Sequence, residues 1–234
     1  QLLHYLKENG SGDVAQMSEL LGVSPITIRR DLDELASRSL VTRYFGGARY
    51  LQVEEDEDEP AYLETTTRHL EQKRAIAQRA AQLLEDGDIV FINSSSTALL
   101  IYPYIQAKSI MIVTNNGRSL LAQRASGVEL VLTGGEVYGN KQSLVGQFAL
   151  DTLARITATK CILGVSGISV KGGITSRIIQ ETAINQMMLN RCSGSKIVVA
   201  DSTKIGVEHN FFSGKIGDIN RLITDTGGGA DIPE

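Results

Sequence analysis

Cysteine is scarce in this sequence. Only Cys161 and Cys192 occur, far apart in the chain, and neither belongs to a Cys-x-x-Cys pair. A disulfide framework or a zinc site requires several cysteines at suitable spacings. We therefore expect both residues to pack in the core, as free cysteines commonly do, and we expect neither a metal nor another cofactor.

Long apolar runs are also missing. The most apolar stretch, residues 99–113, is interrupted by Pro103, Gln106 and Lys108, and it is shorter than the roughly 20 residues that a membrane-spanning helix requires. No signal peptide is recognisable at the start of the sequence. We therefore predict a cytoplasmic protein with no membrane partner.

An excess of positive charge is the third absence. The chain has 23 Lys and Arg against 27 Asp and Glu, which gives a formal net charge of -4. This balance excludes a protein that is coated in basic surface, so any contact with nucleic acid must come from a local patch. The length of 234 residues is sufficient for two domains.

The chain divides into three parts by its sequence pattern. Residues 1–52 are typical of short helices followed by a β-ribbon, and residues 53–72 contain the acidic run 54–60, which indicates a linker. From residue 73 to 234, helical periodicity alternates with short β-branched runs, which predicts an α/β domain with a mostly parallel sheet covered on both faces. These runs are 89–92, 110–113, 130–132, 161–163, 197–200 and 222–224.

The first part contains a helix-turn-helix pattern. A helix near 16–21 is expected to stop at Gly22, and Ser24 is placed to cap a second helix that begins at Pro25. The spacing of the apolar residues on this second helix predicts its inward face. The residues of that face are Ile28, Leu32 and Leu35.

The opposite face of the second helix carries side chains that suit a DNA major groove. Arg29 and Arg30 are among them, and arginine can bind guanine with two hydrogen bonds. The same pair of arginines also fits an ordinary exposed helix. Residues 40–49 resemble two strands around a glycine turn, a wing whose arginines would lie along the phosphate backbone. The predicted DNA-contacting residues are Ser24, Pro25, Thr27, Arg29, Arg30, Arg43 and Arg49.

The second domain places polar loops after its predicted strands. Residues 93–97 form a hydroxyl-rich loop at the start of a helix, which favours an anion site, although Ser96 or Thr97 could simply cap that helix. Similar loops follow other strands at 114–116, 133–135, 164–167 and 201–204, and the last of these carries Lys204. Ligands bind at this edge of open parallel sheets, so the pattern predicts a pocket for a small polar anion.

Two segments resemble the signature of DeoR-family regulators of sugar metabolism. The segments are Val23–Leu35 and Arg43–Ala48, with Phe45 where the family commonly has histidine. The second domain also resembles the family's sensor, whose fold is similar to ribose-5-phosphate isomerase and the CoA transferases. The resemblance implies a winged helix-turn-helix that binds operator double-stranded DNA and a sensor that binds a phosphorylated sugar effector.

The same resemblance implies the effector-binding residues. Asn93 and Ser95 stand where the family commonly has aspartate and glycine, which indicates an atypical sugar end of the pocket. Glu181 could instead cap the helix that is expected to start near Gln180. Together with Gly134 and Gly135, which only the loop pattern indicates, the predicted effector-binding residues are Asn93, Ser94, Ser95, Ser96, Thr97, Thr114, Asn115, Asn116, Ser166, Gly167, Glu181 and Lys204.

Three classes of function remain to be compared. An isomerase-like enzyme is disfavoured, because residues 166–169 lack the acidic stretch that would supply a base, and His4, His69 and His209 are expected on the surface or in the linker. A protein-interaction module is disfavoured by the wing arginines. We therefore predict a homo-oligomeric repressor, a dimer or tetramer, that a sugar phosphate releases from DNA; an activator of the same kind of operon is the alternative.

Overall fold

The computed structural model describes residues 2–37, 41–44, 46–50, 69–106 and 109–227. The chain divides into two compact units, Gln1–Glu57 and Asp58–Glu234. The acidic run 54–60 and most of the linker expected at 53–72 lie outside the described residues. Helix α4, described below, begins at Leu70 after His69 in a left-handed conformation, so helical structure starts before the domain boundary expected at residue 73.

The first unit has the predicted helix-turn-helix and wing. Helix α2 ends at Gly22, which adopts the left-handed conformation with φ 66°, and strand β3 pairs antiparallel with both β1 and β2. The turn between β2 and β3 includes Gly46 at φ 90°. The elements are α1 (Leu2–Asn9), β1 (Ser11–Asp13), α2 (Val14–Leu21), α3 (Pro25–Ser37), β2 (Val41–Tyr44) and β3 (Gly47–Tyr50).

The core of the first unit confirms the inward face predicted for α3. Ile28 and Leu32 are 1% and 0% exposed, and they pack with Leu6 and Met17. Leu35 is partly buried against the same cluster. The helical spacing of these residues therefore fixes which side of α3 faces away from the core.

The second unit is built on a parallel sheet of six strands, as predicted. The strand order is β14-β12-β9-β4-β5-β6, and every neighbouring pair is parallel. Each predicted β-branched run overlaps one of these strands. They are β4 (Ile89–Ile92), β5 (Ile110–Thr114), β6 (Val128–Leu132), β9 (Ala158–Gly164), β12 (Cys192–Val199) and β14 (Arg221–Ile223).

Shorter elements surround this sheet. Strands β7 and β8 form an antiparallel hairpin, and β10, β11 and β13 form a second small antiparallel sheet; neither was predicted, because strands of three or four residues carry little periodicity. These strands are β7 (Glu136–Tyr138), β8 (Ser143–Val145), β10 (Gly167–Ser169), β11 (Gly173–Ser176) and β13 (Phe211–Gly214). The helices are α4 (Leu70–Ala81), α5 (Ser96–Leu99), α6 (Gln147–Ala154) and α7 (Ile179–Asn190), with 3-10 turns at Tyr102–Tyr104, Gly117–Leu121, Ser202–Lys204 and Ile216–Asp218.

Two apolar clusters bury the two faces of the large sheet. Cys161 and Cys192 both lie in one of them as free, buried thiols, which confirms them as packing residues, and burial raises the pKa of Cys161 well above its usual range. Over the described ranges, none of the helices combines the length and apolarity of a membrane crossing. Within those same ranges, His, Cys, Asp and Glu side chains form no cluster that could hold a metal ion.

Candidate functional site

The start of helix α3 is capped as the sequence predicted. The Thr27 backbone N–H donates to Ser24 Oγ at 3.2 Å, and the two side-chain oxygens are 3.0 Å apart. Pro25 occupies the first helical position, where a missing N–H costs nothing. The Ser24 and Thr27 hydroxyls therefore hold the first turn in shape, and Ser24 and Pro25 are exposed.

The outward face of α3 carries two side chains, Ile26 and Asp33, that are not among the predicted DNA-contacting residues. Ile26, Arg29, Arg30 and Asp33 follow helical spacing and therefore share one stripe. Arg30 is 82% exposed, and its contact with Asp31 at 3.6 Å is a solvent-exposed pair. Ile26 is 76% exposed. In the sequence it could have been recognised as an apolar residue that lies outside the predicted inward face of the helix.

Arg43 of the wing is docked on α3. Its Nη1 donates to Asp33 Oδ1 at 2.6 Å and to the carbonyl oxygen of Arg29 at 3.0 Å, and the side chain is 29% exposed. Arg43 thus ties strand β2 to the outward stripe and compensates the Asp33 carboxylate. Phe45 and the side chain of Arg49 lie outside the described part of the chain.

A polar pocket lies in the second unit, at the carboxyl ends of β4, β9 and β12. It includes part of the predicted effector site: Asn93, Ser94, Ser95, Ser96, Thr97, Ser166, Glu181 and Lys204 line it. The remaining lining residues are Lys73, Lys141, Gly164, Val165, Thr175, Ser176, Arg177, Asn185, Ala200 and Asp201. Among them, Gly164, Val165 and Asp201 belong to loops predicted to border the pocket, and the others were not predicted.

The other predicted effector residues, Gly167 among them, are not part of the pocket lining. Thr114, Asn115, Asn116, Gly134 and Gly135 follow β5 and β6, which the strand order places toward one edge of the sheet. Asn115 donates to the Leu144 carbonyl at 3.2 Å, and Asn116 accepts from the Arg118 N–H at 3.1 Å. Asn115 Nδ2 also donates to Ser94 Oγ, a hydroxyl of the pocket lining, at 3.4 Å. Asn116 therefore supports the following turn, whereas Asn115 joins the hairpin to the hydroxyl network of the pocket.

Two of the predicted effector-binding glycines are required by close approach of backbone. Gly135 has φ 108°, and a Cβ there would overlap the Val145 carbonyl oxygen. Gly167 lies in β10, where a Cβ would overlap the Val207 carbonyl oxygen. Both therefore allow backbone segments to pack tightly.

Asn93 uses its amide to join two strands of the sheet. Its Nδ2 donates to the Gly164 carbonyl at 2.8 Å and to Asn185 Oδ1 at 3.0 Å, and its Oδ1 accepts from the Gly164 N–H at 2.9 Å. A side-chain amide can both donate to and accept from the same backbone residue, which an ionised carboxylate cannot do. Asn93 thus contributes to the scaffold of the pocket, because both polar atoms of its side chain are bonded to protein groups.

Asn93→Asp is expected to lower the free energy of unfolding by about 1–3 kcal/mol, because a buried carboxylate would face the Gly164 carbonyl oxygen and Asn185 Oδ1 without a donor. Urea denaturation at pH 7 measures the loss. Since protonation would restore one donor, the deficit should shrink as the pH approaches 4. A variant as stable as the parent would contradict this assignment of hydrogen bonds.

Glu181 points into a hydroxyl network. Its Oε1 accepts from Ser143 Oγ at 2.7 Å and from Ser94 Oγ at 3.2 Å, and its Oε2 lies 3.8 Å from Lys141 Nζ. The residue before helix α7, Ile178, makes no side-chain cap bond. Between the two alternatives for Glu181, the geometry therefore favours the pocket over a helix cap.

Buried Lys73 supplies a cation to the 93–97 loop. Lys73 is 4% exposed, and its Nζ donates to Ser96 Oγ at 3.3 Å. Ser95, and neither Ser96 nor Thr97, caps the short helix α5 through the Ala98 N–H at 3.1 Å. Since α5 is a single turn, the lysine and the hydroxyls provide the attraction for an anion. The sequence could have revealed this lysine, because helical spacing places Lys73 on the buried face of α4.

His209 lies beside the pocket, not on a linker or an open surface as the sequence analysis expected. Its Nε2 is 3.4 Å from Arg177 Nε and 3.2 Å from the Ser166 carbonyl oxygen. Burial, together with the charges of Arg177 and Lys204, lowers its pKa. The fold brings β11 and the segment before β13 together here, a proximity that sequence distance conceals.

Comparison with known proteins identifies both units. The model of the DeoR-like helix-turn-helix domain matches residues 1–54, and that of the DeoR C-terminal sensor domain matches residues 68–226. The chain belongs to the DeoR family. Its two family domains make it a DNA-binding transcription regulator with a sensor, and not an enzyme.

Several relatives of this DeoR-family chain have names that state a role. It is 32% identical to the lactose phosphotransferase system repressor of Streptococcus mutans over 229 residues, covering 96% of this chain and 90% of the relative. It is 30% identical to the HTH-type transcriptional regulator GlpR of Haloferax volcanii, covering 96% and 88%.

Two solved structures are similar to part of this chain at low identity. The delta subunit of eIF2B from Chaetomium thermophilum is 15% identical with a TM-score of 0.48, covering 69% of this chain and 58% of that one. Ribose 5-phosphate isomerase A from Methanocaldococcus jannaschii is 13% identical with a TM-score of 0.42, covering 58% and 54%.

Proposed function

We propose that this regulator represses a sugar operon and that a phosphorylated sugar, bound in the sensor pocket, relieves the repression. The names of the relatives support the operon class. The observation that carries the proposal is the buried Lys73 ammonium 3.3 Å from Ser96 Oγ, in a pocket that also contains the Glu181 carboxylate. A phosphorylated sugar has a phosphate that matches the ammonium and hydroxyl groups that match the carboxylate.

The phosphate end is assigned to Lys73 and the hydroxyls of Ser96 and Thr97. A buried ammonium and hydroxyl donors bind a phosphate through charge-assisted hydrogen bonds, which are stronger than those between neutral groups. Lys204 and Arg177 add further positive charge to the lining. This excess of cations favours an anionic ligand over a free sugar.

The sugar end is assigned to the Glu181 network. An ionised carboxylate accepts hydrogen bonds only, and it already accepts from two serines. A sugar hydroxyl can donate to the same carboxylate, or replace one of the serine donors. Glu181 thus selects a ligand with a hydroxyl group near its phosphate.

On DNA, two or more copies are expected to place their α3 helices in successive major grooves, because helix-turn-helix dimers read half-sites about one helical turn apart. A closed two-fold assembly is the commonest way to achieve this. We expect the homo-oligomer to act in the cytoplasm. Size measurement by analytical ultracentrifugation, with and without operator, tests the assembly.

Phosphorylated hexoses and pentoses are expected to stabilise the protein, whereas the free sugars at equal concentration are not. A ligand at about 100 times its Kd adds roughly 2.7 kcal/mol to the free energy of unfolding, which a thermal melt detects. Lys73→Met should weaken the binding of the stabilising phosphate by about 10- to 100-fold, because a charge-assisted bond is lost.

The control for Lys73→Met is Lys171→Met, which removes an exposed lysine outside the pocket and should leave the affinity unchanged. Calorimetric titration gives the affinities, and inorganic phosphate serves as a minimal probe of the anion end. Equal binding of free and phosphorylated sugars would refute the pocket assignment. An operator reporter whose expression falls when the effector is added would refute relief of repression.

A further inference from the structure

Ile26 is a large apolar side chain placed in solvent at the start of the recognition helix. It is the second residue of α3 and is 76% exposed, whereas Ile28 and Leu32 of the same helix are 1% and 0% exposed. The core therefore takes its apolar contacts from another face of α3. A β-branched residue is also a weaker helix former than alanine or leucine, so neither packing nor helix propensity accounts for Ile26.

The neighbours of Ile26 indicate what covers it. Arg29 and Arg30 lie three and four residues further along, on the same stripe, and both are exposed. Guanidinium groups beside an apolar tip complement a surface that presents phosphates around an apolar group. Double-stranded DNA has this combination, because its major groove contains one apolar group on the base edges, the thymine 5-methyl.

The position along the helix agrees with this occupant. In helix-turn-helix proteins the N-terminal residues of the second helix contact base edges, and here Ser24 and Thr27 hold that turn through their own cap bonds. Their hydroxyls are engaged within the turn. Ile26 thus presents a largely exposed apolar side chain in the same turn.

We propose that Ile26 reads the 5-methyl group of a thymine in each operator half-site. The inference deepens the family's DNA binding by naming a specificity residue and the base feature that it recognises. Arg29 and Arg30 supply attraction to DNA of any sequence and to guanine, whereas Ile26 discriminates thymine from cytosine at one position. The contact is apolar, so its energy is insensitive to salt.

The test uses the full chain and operators selected by it from random duplexes. In the selected duplex each thymine is replaced, one at a time, by deoxyuridine, which removes only the methyl group. For the parent protein, we expect one thymine position in each half-site at which a single replacement weakens binding about three- to fivefold, the effect of one buried methyl group. For Ile26→Ala the same replacement should have no effect.

Two variants accompany the test. Ile26→Val keeps a branched methyl group and should retain part of the discrimination, whereas Leu121→Ala removes an exposed apolar residue of the sensor and should retain all of it. A thermal melt confirms that Ile26→Ala folds. Ile26→Ala should lose overall affinity by the same factor as deletion of the methyl group in every half-site at once, and the two losses should not add.

Other outcomes would overturn the inference. If sequences are selected but every deoxyuridine replacement affects parent and Ile26→Ala equally, the methyl contact does not exist while DNA binding stands. If Ile26→Ala keeps full operator affinity but loses self-association, Ile26 belongs to a protein contact instead. If no sequence is selected at all, sequence-specific DNA binding fails together with this inference.

Discussion

Lys160→Met is expected to lower the free energy of unfolding by about 3–5 kcal/mol, the largest single effect that we foresee. Lys160 Nζ lies 2.7 Å from Asp88 Oδ2, and the two side chains are 12% and 8% exposed. Removing one partner of a buried pair leaves the other charge without compensation. Asp88 also accepts from the Glu85 N–H at 2.7 Å and the Thr159 hydroxyl at 2.8 Å, so it fastens the start of β4 to β9.

The pair should also give stability a defined pH dependence. Burial alone would raise the pKa of Asp88, but the hydrogen bonds from Lys160, the Glu85 backbone and Thr159 outweigh burial and lower it. Its contribution is therefore present above the pKa of an unfolded aspartate and is lost as pH falls through the lower folded value, below about pH 4. Burial alone would lower the pKa of Lys160, but its hydrogen bonds to Asp88 and Glu85 outweigh burial and raise it. The contribution of Lys160 to stability is therefore lost only above about pH 10.5.

Glu85→Gln provides the matched control for the buried pair. Glu85 contacts the same ammonium at 2.8 Å but is 79% exposed, so solvent screens the interaction and the loss should stay below about 1 kcal/mol. Urea denaturation of both variants between pH 3 and 8 makes the comparison. If Lys160→Met and Glu85→Gln cost the same, burial of the Asp88 pair is not what stabilises this end of the sheet.

Arg43→Ala is expected to weaken operator binding by about 2–3 kcal/mol, roughly 30- to 150-fold. In the structure Arg43 bonds to Asp33 and to the carbonyl oxygen of Arg29. Its removal would leave the Asp33 carboxylate, on the same stripe as Ile26 and Arg29, facing the DNA without compensation. It would also release the wing from the recognition helix, so the loss should exceed that of an ordinary phosphate contact.

A double-mutant cycle separates the two roles of Arg43. If Arg43 compensates Asp33, then Asp33→Asn should recover much of the affinity lost in Arg43→Ala, and the two substitutions should show coupling in a fluorescence anisotropy titration. If Arg43 instead binds a phosphate, as the sequence analysis predicted, Asp33→Asn would rescue nothing. In that case Arg43→Ala would lower the affinity for all DNA sequences alike and reduce the slope of log affinity against log salt concentration by about one.

The sequence by itself determined the elements whose signals are local. The left-handed stop at Gly22, the Ser24 cap and Pro25 are neighbours in the chain, and the spacing of Ile28 and Leu32 sets the inward face of α3 within three turns. The β-branched runs likewise marked all six strands of the parallel sheet, because strands buried on both faces are apolar throughout. The family signature lies in the same local segments.

Only the tertiary structure decided which side chains meet. The strand order β14-β12-β9-β4-β5-β6 places the loops after β4, β9 and β12 around the pocket, where Lys73 reaches Ser96 from a helix. The loop after β5 reaches the pocket hydroxyls through Asn115, while Asn116 supports a turn. Asn93 bonds to Gly164 across 71 residues of sequence, and Arg43 of the wing bonds to Asp33 of the recognition helix. Strand pairing and side-chain direction depend on long-range packing, which a local pattern of apolar and polar residues does not encode.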